Sequence, residues 1–200
     1  MKVLDAGCGG ERGCSTKTPL EEIFIVGVDL DPAVLTNPYC NEKYQCDLAD
    51  LPFDNASFDL IHCHWVLEYL EDPVKVFKEF ARVLKPGGRL LALRPNVMHY
   101  ATIIAKFTPQ WFHRWWWAEA YDPFPTYYRA NSPCTLRWLC KSAGLDVPRL
   151  ELYEEFPYYL VRCWPVFLCG VLYERIVNST HMLKWIRQRI LLEAIRPLES

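Results

Sequence analysis

The stretch that most constrains this chain is its opening, Met1-Lys-Val-Leu-Asp-Ala-Gly-Cys-Gly-Gly10. Val3 and Leu4 have the character of a buried strand, and Gly7, Gly9 and Gly10 follow with a turn that side chains would obstruct. Such a turn can be purely steric. Here, however, a second apolar run, Ile23-Phe-Ile-Val-Gly-Val-Asp29, ends in a carboxylate about 20 residues further on. Two parallel strands of this kind make a socket for a nucleotide-like molecule. The glycines allow the backbone to approach the ligand, and Asp29 can accept hydrogen bonds from two ribose hydroxyls.

The dinucleotide fingerprint requires a third glycine three positions after its second, and that position is Arg12. Asp5-Ala-Gly7-Cys-Gly9-Gly10 instead resembles the first motif of the class I S-adenosylmethionine (SAM)-dependent methyltransferases, in which an acid stands two residues before the first glycine. Cys46-Asp47-Leu-Ala-Asp-Leu-Pro-Phe53 is similar to the family segment whose first aspartate hydrogen-bonds the adenine amino group. Ser57-Phe-Asp-Leu-Ile-His62 is similar to the family's fourth strand, and Leu84-Lys-Pro-Gly-Gly-Arg-Leu-Leu91 to the turn entering the fifth. These motifs occur in the family's order and cover residues 1 to 95.

The resemblance implies an α/β fold, a Rossmann-like three-layer sandwich with a mostly parallel central sheet, here with a helical aromatic insertion after the fifth strand. A single domain is expected, with a cofactor core over 1–95, a cap or insertion over 96–131, and C-terminal helices and strands over 132–200. It also implies SAM as cofactor and in-line transfer of its methyl group to a small acceptor; the chain's aromatic richness suggests an apolar or aromatic one, though it could equally report a core. The cofactor residues carried over are Asp5, Gly7, Gly9, Asp29 and Asp47. The backbone of Cys8, Gly10, Leu30 and Leu48, with the post-strand residues His62 and Cys63, gives further candidates. Asp5 as a turn acceptor and Asp47 as a cap are the plainer alternatives.

On the acceptor side, His64 and His99 are candidate bases because imidazole titrates near neutrality. Tyr100, Tyr127, Tyr128 and Arg129 follow strand ends, where open α/β sheets gather ligands. Two rival readings stay open. One is a SAM-binding protein without transferase activity, suggested by Glu11 in place of the family's third glycine and by the short opening. With no helix ahead of the first strand, a truncated member is an expectation. The other is a same-fold enzyme using a different nucleotide.

Charge bears on partners. Net charge is −2, which gives no reason to expect nucleic acid. Residues 1–100 hold 10 Lys+Arg against 15 Asp+Glu, and residues 101–200 hold 12 against 9. That balance would suit a cationic cofactor and an anionic or membrane-associated substrate, although solvated surface is the plainer explanation. Nine cysteines with no Cys-x-x-Cys pair point to reduced thiols in a cytoplasmic compartment. His62 and His64 share a strand face without evident further ligands, so no metal site is expected. No secretory leader is visible, and the apolar run 157–173 is broken by Arg162 and Pro165.

Further along, residues 11–22 lack helical period and are expected to form a loop or one short helical turn. Asp31 and Pro32 start a brief helix that Asn37-Pro38 stops, a third strand covers 43–46, and a helical turn is expected over 64–70. Asp72 and Pro73 open a helix with Phe77, Phe80, Ala81 and Leu84 on its apolar face, and Ser132 caps another that stops at Gly144. Residues 97–121, with Phe107, Trp111, Phe112 and Trp115 to Trp117, read as a helix on the sheet edge, a cap over the acceptor pocket, or a segment at the level of lipid headgroups. Strands are expected at 147–153 and 158–163. The tail from His181 to Arg196 reads as an amphipathic basic helix, docked or anchoring.

Overall fold

In the computed structural model, which describes residues 1–10, 23–107 and 125–198, the expected strand-turn-strand opening leads into a seven-stranded sheet. Its strands are β1 (Lys2–Ala6), β2 (Phe24–Asp29), β3 (Glu42–Gln45), β4 (Phe58–His64), β5 (Leu84–Pro95), β6 (Asp146–Tyr153) and β7 (Arg189–Ile195), in the order β3-β2-β1-β4-β5-β7-β6. β1 pairs in parallel with both β2 and β4, so the strand order reverses at β1. An open α/β sheet binds its ligands outside the carboxyl ends of the strands at such a point. The mostly parallel Rossmann-like sheet is as expected.

One face of the sheet is a continuous apolar surface. Leu4 and Ala6, Val26 and Val28, Ile61 and Cys63, Leu90 and Ala92, and Ile190, Leu192 and Ala194 point the same way at two-residue spacing and are buried. Against them pack α1 (Pro73–Val83), through Val76, Phe77, Phe80 and Val83, and α3 (Pro133–Ser142), through Leu136, Leu139 and Cys140. Both helices start as their sequences indicate. Asp72 accepts from the Lys75 backbone N–H at 3.2 Å and Ser132 from that of Thr135 at 3.1 Å, with Pro in the first turn of each. The chain also forms α2 (Tyr100–Phe107) and α4 (Trp164–Ser179).

Three expectations are corrected. The tail is not a helix: His181–Ile186 is a 3-10 turn, and Arg189–Ile195 is β7, antiparallel to both β5 and β6. Residues 158–163 give a 3-10 turn over Tyr158–Leu160 rather than a strand. Residues 65–70 form turns without helix. The loop expected over 11–22, including Glu11, and the rings Trp111, Phe112 and Trp115 to Trp117 lie outside the described residues.

Candidate cofactor and acceptor site

At the carboxyl end of β1 the chain turns through Gly7 and Gly9, both in the left-handed region with φ of 77° and 57°. The Gly7 N–H donates to the Val28 carbonyl at 2.7 Å, which ties the turn to β2. The Asp29 carboxylate then receives the Gly9 N–H at 2.8 Å and the Asp31 N–H at 2.9 Å. From the other side Asn37, wholly buried, donates through Nδ2 to the Gly9 carbonyl at 2.9 Å. The turn is thus held rigid by two side chains. Each Asp29 oxygen keeps a second lone pair for a ligand.

A cavity of about 960 Å³ opens beside this turn. Among the predicted residues, Gly7, Asp29, Leu30, Asp47, Leu48, Tyr127 and Arg129 line it. Asp47 is exposed and closes a short turn by accepting the Ala49 N–H at 2.9 Å, the cap role that the sequence left open. Gly9 and Gly10 shape the turn without lining the cavity. The Cys8 side chain is buried against Cys40, its thiol pushed well up by the hydrogen bond to Cys40 and by burial, so only its backbone faces the turn. Asp5 lies beneath, 3% exposed, with Oδ1 2.9 Å from His62 Nδ1. Cys63 is fully buried in the apolar face. These groups brace the site rather than line it.

The acceptor candidates divide as sharply. His64 is exposed at the end of β4, and burial of part of its ring, with the charges of His62 and Arg189, lowers its pKa. It is therefore neutral at pH 7. His99 is fully buried, with Nε2 3.1 Å from Glu154 Oε1 and Nδ1 accepting the Ala101 N–H at 3.3 Å. Tyr100 packs on this ring at 4.3 Å. That pair belongs to the interior between α2 and the end of β6, and the structure does not bring it to the cavity. Tyr128, with φ of 52°, donates its N–H to the Glu68 carbonyl and sets the position of Tyr127 and Arg129.

Several lining residues carried no sequence signal. Trp65, Val66 and Tyr69 come from the turn after β4, and Asp72 and Lys75 from the start of α1. Trp65 holds φ of 58°, a left-handed conformation that costs a bulky residue about 1–3 kcal/mol. Its N–H is fixed by the Leu93 carbonyl at 3.0 Å and its ring by the Arg189 guanidinium at 4.9 Å. Behind this turn Arg94 is fully buried, and its guanidinium has no hydrogen-bond partner among the described residues. Burial lowers its pKa to about 10, with the Glu68 charge opposing that shift.

Charge completes the description. Asp29, Asp47, Glu71 and Asp72 line the cavity against Lys75 and Arg129, and Arg129 Nη1 is engaged at 2.5 Å by the Glu71 carbonyl. The lining is formally anionic and so attracts a cation.

An open sheet with a glycine turn at its switch point and acids beyond the next strands is the arrangement of the class I SAM-dependent methyltransferases. Residues 4–92 match the family model described as a methyltransferase domain. Solved structures agree on the fold. A SAM-dependent methyltransferase from Methanosarcina mazei superposes with TM-score 0.58 at 18% identity, covering 99% of this chain and 93% of that one. An S-adenosylmethionine-dependent methyltransferase from Mesorhizobium loti gives TM-score 0.59 at 20% identity, over 98% and 90%.

Among curated proteins, a ubiquinone biosynthesis O-methyltransferase from Neisseria meningitidis is 26% identical over 166 residues, 73% of this chain and 64% of the relative. A malonyl-[acyl-carrier protein] O-methyltransferase from Hahella chejuensis is 32% identical over 96 residues, 44% of this chain and 34% of the relative. The chain thus spans less than two thirds of these relatives' length.

SAM, the cofactor of this class, fits the residues present. A Cβ on Gly9 would meet nothing within 4 Å, so the turn is open there beside the Asp29 carboxylate at the strand tip, and the lining suits a sulfonium cation. Ligand clefts commonly measure about 300–1,000 Å³. At about 960 Å³ this one lies at the upper end of that range.

Proposed function

We propose that this chain is a SAM-dependent methyltransferase acting on a small acceptor of apolar or aromatic character, with an oxygen as the methylated atom. The observation that carries the reading is the single cavity in which Gly7, Asp29 and Asp47 stand together with Trp65, Tyr69 and Tyr127. The oxygen acceptor follows the relatives, which are named as O-methyltransferases.

Bound SAM supplies a methyl group already activated on a sulfonium. The chain's task is alignment and exclusion of water. In this reading Asp29 receives the ribose hydroxyls and Asp47 the adenine amino group, while Leu30, Leu48 and Val76 give the adenosyl moiety apolar walls. The turn at Trp65 to Leu70, with Tyr127, forms the acceptor side. His64, neutral at pH 7, is the group suited to take a proton from an acceptor hydroxyl. Its ring lies 6.0 Å from that of Trp65 at the cavity wall.

Calorimetry with SAM and S-adenosylhomocysteine tests the cofactor reading. Asp29→Asn should weaken both ligands at least tenfold, since it trades an acceptor oxygen for an amide. Asp29→Ala releases both the Gly9 and Asp31 N–H groups, whereas asparagine keeps an acceptor oxygen for one of them, so the asparagine variant is the cleaner probe. Unchanged affinity in Asp29→Asn overturns the assignment. Binding without formation of S-adenosylhomocysteine over a panel of phenols and carboxylates would favour the non-transferring reading, and stabilisation by NAD alone would favour the other nucleotide.

A further inference from the structure

The helix α4 is docked the wrong way round for a helix that meets only water. A surface helix normally turns its apolar stripe inward. Here the inward side is set by Gly170 and Val177, which are buried. Gly170 lies so close to the preceding 3-10 turn that a Cβ would stand 2.6 Å from Leu160 Cδ1. Tyr173 on the same side donates its hydroxyl to the Ile186 carbonyl at 3.0 Å. The opposite side carries Trp164, Leu168, Leu172 and Ile176, one residue every four and so a single ridge. Their exposures are 71%, 52%, 60% and 48%. Val161, just ahead of the helix, is exposed as well.

The charges around the ridge have one sign. Arg162 precedes the helix and Arg175 stands beside Leu168 and Leu172 on the helical projection, and both are exposed. The helix's one carboxylate, Glu174, is half-buried and accepts from Asn178 Nδ2 at 2.7 Å. Between Phe156 and Gln188 the cations are Arg162, Arg175, Lys184 and Arg187, against Glu174 alone, in a chain of net charge −2. An apolar ridge rimmed by cations complements an anionic lipid surface, where arginine stems lie along the acyl boundary and their heads reach phosphates. A second copy is a poorer partner. A two-fold pairing lays the patch on itself, so Arg162 and Arg175 would face cations with no carboxylate on the ridge to receive them.

We propose that α4 lies flat on anionic membranes, with Trp164, Leu168, Leu172 and Ile176 at the headgroup boundary and Arg162 and Arg175 on lipid phosphates. Its 16 residues extend about 24 Å, short of the roughly 20 residues needed to span a bilayer. No described helix is long and apolar enough to cross one. The contact is therefore peripheral, and it belongs to α4 rather than to the tail. It stands independently of the methyl-transfer reading.

Co-sedimentation of the full chain with vesicles of phosphatidylcholine, alone or mixed with phosphatidylglycerol, tests this. Binding should favour the mixed vesicles and weaken with salt. Leu168→Glu/Leu172→Glu should reduce partitioning tenfold or more, and Arg162→Ala about fivefold. Thermal midpoint and SAM affinity should hold in both variants, because these side chains face solvent. Failure to sediment with mixed vesicles overturns the proposal, as does equal sedimentation of wild type and the leucine variant. A dimer seen by light scattering without vesicles and dissolved by Leu172→Glu would give the ridge to a second copy and likewise overturn it.

Discussion

Gly7 and Gly9 share a left-handed backbone but have different surroundings. A Cβ on Gly7 would stand 2.1 Å from Val66 Cγ2, whereas one on Gly9 would meet nothing within 4 Å. Gly9→Ala should therefore cost only backbone strain, about 1 kcal/mol. Gly7→Ala should cost about 3 kcal/mol, because Val66 must also move. Urea denaturation of both variants checks the order, and equal losses would contradict it. His64 makes a second prediction, in pH. Its folded pKa lies below the ordinary value of about 6.5, chiefly through desolvation, so the unfolded chain binds the proton first as pH falls. Its contribution is intact above the unfolded value and is lost between that value and the lower folded one. His64→Gln should lose less stability than wild type between about pH 7 and pH 5, measured by denaturation at both. At this scale Asp29 was legible because its type and its place at a strand end are local facts. Asn37 was not. It read only as a helix stop, and its bond to Gly9 spans 28 residues with nothing local to announce it. Arg94 was hidden for a similar reason, since a strand of alternating residues gives no sign that a charged one continues the buried row.

Elements were readable in proportion to how locally they are determined. The starts of α1 and α3 follow from Asp72-Pro73 and Ser132-Pro133, in which the cap oxygen and the proline ring act within one turn. Ser132→Ala should accordingly cost about 1 kcal/mol, read as a lowered thermal midpoint, while Ser132→Asp should largely preserve it. A loss in both would mean that the hydroxyl's contact with Thr135 Oγ1 at 2.8 Å matters more than the cap. The tail was illegible for the converse reason. Leu183, Ile186, Ile190 and Leu191 fit a helical stripe, yet Ile190, Leu192 and Ala194 fit a strand just as well, and short apolar runs satisfy both periods. What selects the strand is remote in sequence: β5 and β6 both present an edge that β7 fills. The cavity's acceptor wall shows the same limit, because turns 65–70 and 125–129 meet only when Tyr127 and Tyr128 donate to the Glu68 carbonyl.

The whole sheet depends on that last strand. β7 is hydrogen-bonded along β5 from Arg189 opposite Pro95 to Ile195 opposite Arg89, and along β6 from Tyr153 to Asp146. It also carries Ile190, Leu192 and Ala194 into the main core. Beyond it, Arg196 donates at 2.7 Å to the Leu84 carbonyl at the junction of α1 and β5, and Arg89 pairs with Glu193 at 2.6 Å. The cofactor end of the sheet, β3-β2-β1, makes no hydrogen bond to β7, but β4 and β5 join the two ends through one continuous apolar face. Removing residues 188–200 would strip β6 of its neighbour and uncover the buried row on β5. It would also remove the Arg189 guanidinium that holds Trp65 at the cavity wall. That truncation should abolish cooperative unfolding, and with it SAM binding, even though every residue assigned to the cofactor lies between Asp5 and Val76. Reversing one exposed pair, Arg89→Glu with Glu193→Arg, leaves the strand in place and should shift the thermal midpoint little. Circular dichroism melts of the two variants separate the possibilities. A truncated chain that still melts in one sharp transition and binds SAM would show that the first half folds alone, with β7 serving the acceptor side only.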